Sequence, residues 1–255
     1  MDRRWNILFI IPLLTALAAF FLTDQLVFTG VGFVVGYLIL LGLRSYLLPP
    51  HVRKAISLFE TGSLEAALAE ANAAIAARPE GWEPYYMRAL IHFSLSQLGA
   101  AEADARRAIE LNPESDVNHV TLGQTLFAQA RLDEAEEAFR EAVRLRGREG
   151  LNQYHLGATL FRLDACEEAV PRLELATRLG IPNPQLTLLA YYYLGRCLDH
   201  EGEEEAASAA YGEMNKHREA LEALKHDAYS VADYPALSLL QNDIAAIEKR
   251  LRPIS

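Results

Sequence analysis

Few side chains in this sequence are spaced to do chemistry. Seven histidines (His51, His92, His119, His155, His200, His217 and His226) are scattered, none in an HExxH pattern and none paired with a carboxylate at ligand spacing. The densest polar cluster is Asp199-His200-Glu201-Gly202-Glu203-Glu204-Glu205. It lacks the spacing of an EF-hand loop and reads better as a solvated turn than as a divalent site. Cys166 and Cys197 form no CxxC or Cys/His set, which fits a chain that does not depend on disulfides, as in a reducing compartment. Gly30, Gly32 and Gly36 superficially suggest a dinucleotide loop, but they lie inside an apolar run without a strand–helix switch. G-x-S-x-G, a Walker loop and a cysteine nucleophile motif are all missing from the sequence. The sequence therefore predicts a protein that is not an enzyme and uses no cofactor or metal. A metal-assisted activity at the acidic turn is the weakest alternative.

Composition narrows the partners. The chain of 255 residues is 51% hydrophobic and carries a net charge of −10. Its first 54 residues hold five basic groups (Arg3, Arg4, Arg44, Arg53, Lys54) against Asp2 and Asp24, a net of +3. The remainder is therefore at −13. An acidic body lacks the basic stripe that nucleic-acid phosphates require, so no nucleic-acid partner is expected.

The apolar excess sits at the N-terminus. Trp5 to Leu22 is an uncharged run of 18 residues, long enough as a helix to extend ~27 Å against a hydrocarbon core of ~30 Å. Thr23-Asp24-Gln25 breaks it, and a second run follows from Leu26 to Leu43. These features predict a transmembrane helical hairpin over 1–48. Arg3 and Arg4 before it, with Arg44, Arg53 and Lys54 after it, place both termini on the cytoplasmic side, in keeping with a bacterial inner membrane. Asp2-Arg3-Arg4 and Ala16-Leu17-Ala18 also fit a cleavable signal peptide. Continuation of the run through Phe20-Phe21-Leu22 favours a span, and the second run would stop transfer either way. Gly32 and Gly36 form a small-xxx-small pair that lets helices approach closely, within the hairpin or between two copies.

Beyond Pro49-Pro50 the sequence repeats. Ala67, Ala101, Ala135 and Ala169 fall at steps of 34, as do Ala74, Ala108, Ala142 and Ala176, and Phe59, Phe93, Phe127 and Phe161. Each unit reads as two amphipathic helices and a tight turn, with Gly62 at an interhelical turn and Pro79 and Pro113 at unit ends. With Leu122-Gly123, Leu156-Gly157 and Leu194-Gly195, this pattern resembles the tetratricopeptide repeat family, whose period is 34. Lys54-Ala55 departs from it in the first unit. Units begin near 48, 82, 116, 150 and 188, the last step lengthened by a longer turn at Gly180 to Pro184. The expected architecture is all-α: the hairpin, a short Pro-Pro/basic linker over 49–54, a solenoid over 55–217 and capping helices over 218–255. Leu237, Leu240, Ile244, Ile247 and Leu251 mark the last of these.

The resemblance implies a binding surface on the first helix of each pair. It places there Val52, Ile56 and Phe59; Tyr86, Leu90 and Phe93; Val120, Gln124 and Phe127; Tyr154, Ala158 and Phe161; and Tyr192, Arg196 and Asp199. Such a groove suits an apolar or aromatic peptide or helix from another protein, although the same aromatics also serve as packing between repeats. A terminal-carboxylate clamp is not expected, because Val52, Ile56 and Leu90 stand where its polar groups would be. The resulting expectation is a membrane-anchored adaptor or scaffold that supports assembly of a membrane-associated complex. A self-associating structural membrane protein is the alternative.

Overall fold

The computed structural model of the chain describes residues 49–230 and 235–251. The hairpin expected over 1–48, with Gly32 and Gly36, lies outside the described residues. Among those described, no helix is long and apolar enough to cross a membrane. The described residues form helices only: α1 (Pro50–Glu60), α2 (Leu64–Ala77), α3 (Trp82–Ser94), α4 (Leu98–Leu111), α5 (Asp116–Ala128), α6 (Leu132–Leu145), α7 (Gly150–Arg162), α8 (Cys166–Leu179), α9 (Pro184–Glu201), α10 (Glu204–Lys216), α11 (Ala220–Ser230) and α12 (Leu237–Leu251). Consecutive helices pack as hairpins, and each hairpin stacks on the next through its second helix. Pro50 opens α1 as its first helical residue, where a missing N–H costs nothing. Residues 50–54, expected as linker, are therefore the first turn of the solenoid.

Each hairpin closes on small residues. In the first helices of the five pairs, Ala55, Ala89, Gly123, Gly157 and Gly195 occupy one recurrent position. A Cβ added at Gly123 would stand 2.6 Å from the Phe139 ring, at Gly157 2.8 Å from Leu173, and at Gly195 2.5 Å from the Tyr211 ring. In the first two pairs the same contact is shared differently, by Ala55 with Ala71 and Ala89 with Ala105, all fully buried. One side of the position is thus always small: alanine stands opposite alanine in the first two pairs, and glycine opposite a large side chain in the next three.

The interhelical turn recurs equally strictly. Gly62, Ser96, Ala130, Asp164 and Gly202 all have positive φ, between 56° and 79°. Glycine adopts that conformation freely, whereas Ser96, Ala130 and Asp164 adopt it against steric resistance. Between hairpins, buried polar side chains take up the carbonyls left at the ends of the second helices. Asn118 Nδ2 donates to the Ala108 and Asn112 carbonyls at 3.0 and 3.2 Å. One repeat later, Asn152 Nδ2 reaches the Ala142 and Arg146 carbonyls at 3.4 and 3.3 Å.

The structure corrects two expectations. The four residues inserted before the fifth unit do not lengthen a turn. Asn183 caps α9, its Oδ1 accepting from the Gln185 and Leu186 amides at 2.8 and 3.1 Å. The helix therefore starts one turn early and runs 18 residues, against 13 in α7. Nor does the chain lack a disulfide: Cys166 at the start of α8 is bonded to Cys197 in α9. Stacking of one unit's second helix on the next unit's first brings their Cα atoms to 5.0 Å across 31 residues of sequence. A one-dimensional reading of cysteine spacing has no access to that stacking.

Three stability measurements follow. Gly123→Ala forces a methyl into the Phe139 ring and should lower unfolding free energy by about 1–3 kcal/mol in a denaturant titration. Ala130→Gly relieves the left-handed strain and should raise it by about 0.5–1 kcal/mol, the relief exceeding the extra freedom glycine gains on unfolding. Reducing Cys166–Cys197, which closes a loop of 31 residues, should cost about 4 kcal/mol in the chain-entropy account.

Candidate protein-binding groove

The first helices of the stacked pairs build one face, and a cleft of 260 Å³ opens on it. Phe93 of α3, Gln124 and Phe127 of α5, Tyr154, His155, Ala158 and Arg162 of α7, and Leu186, Leu189 and Tyr193 of α9 line it. Leu224 of α11 and Ala236, Leu239 and Leu240 at the start of α12 complete the wall. Five of the residues expected in the groove therefore meet here: Phe93, Gln124, Phe127, Tyr154 and Ala158.

The others lie elsewhere. Ile56, Phe59 and Leu90 pack into a separate N-terminal cluster around Ala55, Ala67, Ala71, Met87 and Ile91. Val52 is buried in the same part of the solenoid at 2% exposure. Tyr86 is half-buried beside Trp82, ring centroids 5.9 Å apart. Phe161 stacks on Tyr193 at 4.7 Å and supports the cleft from behind. Tyr192 is 1% exposed and does not line the cleft; its hydroxyl accepts from Arg196 Nη1 at 2.8 Å. Arg196 itself is exposed. In α9 the cleft tyrosine is the next residue, Tyr193, one helical step of about 100° away.

The largest departure from expectation is α12. It does not simply cap the end of the stack but lies along the first-helix face of several repeats. At its N-terminal end, the Ala236 amide donates to the Ala128 carbonyl of α5 at 3.1 Å. At its middle, the Asp243 carboxylate meets both terminal nitrogens of Arg162, Nη1 to Oδ1 at 3.3 Å and Nη2 to Oδ2. Tyr193 donates its hydroxyl to the same carboxylate at 2.8 Å. Near its C-terminal end, Arg250 bonds Asp199 at 2.9 Å and covers the Tyr211 ring, 3.7 Å from its centroid. Leu237, Ile244 and Ile247 bury the apolar side of the helix.

Both members of the central ion pair are buried: side-chain exposure is 12% for Arg162 and 7% for Asp243. The guanidinium lies 5.3 Å from the centroids of both Phe161 and Tyr193, so two π faces offset its lost hydration. Burial pushes the Asp243 carboxyl up, against the pull of Arg162 and the Tyr193 hydroxyl. Burial likewise raises the Tyr154 and Tyr193 hydroxyls, which stay protonated and able to donate.

The sequence reading missed Arg162, Tyr193, His155 and Asp243. One signal could have found the pair. Asp243 interrupts the apolar stripe of Leu240, Ile244 and Ile247, and a carboxylate on a buried face demands a cation opposite it.

A family profile described as tetratricopeptide repeat matches residues 52–116 and 120–184. The chain belongs to the tetratricopeptide repeat family. No curated protein matches it in sequence. Among solved structures, a crystal structure of MamA superposes with a TM-score of 0.57 at 16% identity, covering 65% of this chain and 94% of that one. MamA 41-end from Desulfovibrio magneticus RS-1 gives 0.58 at 15% identity, covering 68% and 98%. YrrB, described as a TPR protein with an unusual peptide-binding site, gives 0.54 at 22% identity, covering 71% and 90%. At such identities the likeness is one of fold.

The cleft also contains a titrating group. His155 stacks on Phe139, ring centroids 5.1 Å apart, and its Nε2 lies 3.0 Å from Gln124 Nε2. The amide must donate there, so the imidazole nitrogen is unprotonated. Burial lowers the His155 pKa from 6.5 to about 4. The unfolded chain takes up this proton near pH 6.5, while the folded chain resists it to about pH 4. Stability should therefore fall by about 1–3 kcal/mol as pH drops through that window. A pH series of chemical melts should show that slope flattened in His155→Gln.

Proposed function

We propose that this protein is an interaction adaptor, a tetratricopeptide scaffold that binds an apolar or aromatic segment of another protein on its first-helix face. One observation carries the reading. Aromatic and apolar side chains from successive repeats converge on a cleft of 260 Å³ that the surrounding core leaves open. Concave apolar clefts with a few placed polar groups are the usual form of a binding site. Here the polar groups are Arg162, Tyr193, Gln124 and His155. The peptide-binding site of YrrB, a repeat protein of the same fold, supports a peptide or helix as the ligand. No catalytic constellation lies in the cleft among the described residues, and no group of metal-ligating side chains is found among them.

The two apolar runs within residues 1–48 give this scaffold its membrane anchor in our reading. The Lys/Arg bias and the disulfide pull opposite ways on where the body lies, since disulfides persist in oxidising compartments. We keep the body on the basic, cytoplasmic side, because the Cys166–Cys197 bond, its cysteines 8% and 0% exposed, is shielded from exchange with cytoplasmic thiols.

Affinity capture in mild detergent tests the adaptor reading. The full chain should retain a partner that a Phe93→Ala, Phe127→Ala variant with unchanged helicity loses. Capture that survives those truncations removes the cleft as the site. Recovery of the chain alone favours self-association through the Gly32/Gly36 segment instead.

A further inference from the structure

Apolar surface alone would have sufficed to seat a capping helix, yet the contact between α12 and the repeats is built around a buried charge. Replacing a buried ion pair with well-packed apolar residues is often neutral or stabilising, so the pair adds little to the stability of a permanent cap. It does add selectivity, because it accepts a carboxylate at one place and rejects an apolar group there. The receptor half belongs wholly to the repeats: Arg162 ends α7 and Tyr193 lies in α9, held together by an Arg162 Nη2 to Tyr193 Oη bond of 3.2 Å. Their side chains stack independently of α12, through Phe161.

The fit of α12 on this receptor is incomplete. Arg162 Nε is buried with no acceptor in reach among the described residues. The cleft of 260 Å³ remains open beside the helix, flanked by Phe93 and Phe127 from the preceding repeats. The seated helix therefore uses the charged centre of the face and leaves its aromatic side unfilled.

We propose that Arg162 and Tyr193 form a carboxylate-receiving site on the binding face, and that its external ligand is an amphipathic helix of a partner protein. That helix carries an Asp or Glu within an apolar stripe and takes the place α12 holds here. In the free chain α12 is the internal competitor. The partner outcompetes it by filling the cleft that α12 leaves open beside Phe93 and Phe127. This inference rests on the adaptor reading of the same face. Its test uses the chain's own segment as ligand, so a failed search for a partner and a failed receptor are told apart.

The probe is a fluorescently labelled peptide spanning residues 235–251, titrated with the full chain and read by polarisation. Asp243→Asn in the chain weakens the internal competitor, so this variant should bind the peptide at least ~10-fold more tightly than the native chain, a tenfold step being the smallest clear shift in occupancy. The same peptide carrying Asp243→Asn should lose that gain, and so should a chain combining Asp243→Asn with Arg162→Gln. Equal binding of both peptides, or no gain in the Asp243→Asn chain, overturns the proposal. Amide exchange in the native chain gives a check free of variants. The amides of α12 should open at least ~10-fold more often than those of α7, whereas exchange of both only by global unfolding makes α12 permanent core and also overturns it.

Discussion

Everything in this solenoid depends on how closely the two helices of each pair approach at one recurrent position. Gly123, Gly157 and Gly195 leave room for Phe139, Leu173 and Tyr211, and alanine pairs do the same in the first two units. That contact sets the distance between first and second helices, and the left-handed turn residue sets their connection. With both fixed, each pair presents the same face to the next. Buried asparagines at 118 and 152 then join successive pairs by taking up carbonyls that would otherwise be left without donors. The result is a row of first helices whose inward residues fall into a continuous surface.

That surface is not uniform. Its N-terminal part is closed by its own packing around Met87 and Ile91, leaving Phe59 and Leu90 as structural residues. Its central part stays open because the fifth unit differs from the others. The extra turn of α9 adds Leu186 to the rim, and the regular part of the helix sets Leu189 beside it and Tyr193 against Arg162. The disulfide from Cys166 to Cys197 ties α8 to the same helix. The irregular unit is thus the one that builds the polar centre of the groove, and α12 is anchored on it.

Much of this was legible in the sequence, and the reason is periodicity. Ala67, Ala101, Ala135 and Ala169 report the helix pairs because small residues are needed wherever helices touch. Phe93, Phe127 and Tyr154 report the cleft face because they repeat in phase with those alanines. What could not be read were relations that break the period. Cys166 and Cys197 meet across a stacking interface, and Arg162 meets Asp243 across 81 residues. The inserted turn of α9 looked like a longer loop because Gly180 and the two prolines suggested one. Asn183 between those prolines caps the helix and turns the insertion into helix. Tyr193 was passed over for Tyr192 because the expected register names the residue aligned with Tyr154, while the next position, His155 in α7 and Tyr193 in α9, also lines the cleft.

The central claim is that the groove face and α12 are coupled through one buried ion pair. A double-mutant cycle on Arg162→Ala and Asp243→Ala, read by equilibrium unfolding of the full chain, tests it most directly. A coupling energy above about 2 kcal/mol is the predicted result, since each single change strands a buried charge and the double change removes both. Additivity to within about 0.5 kcal/mol would mean that the two side chains do not sense one another, and would contradict the account.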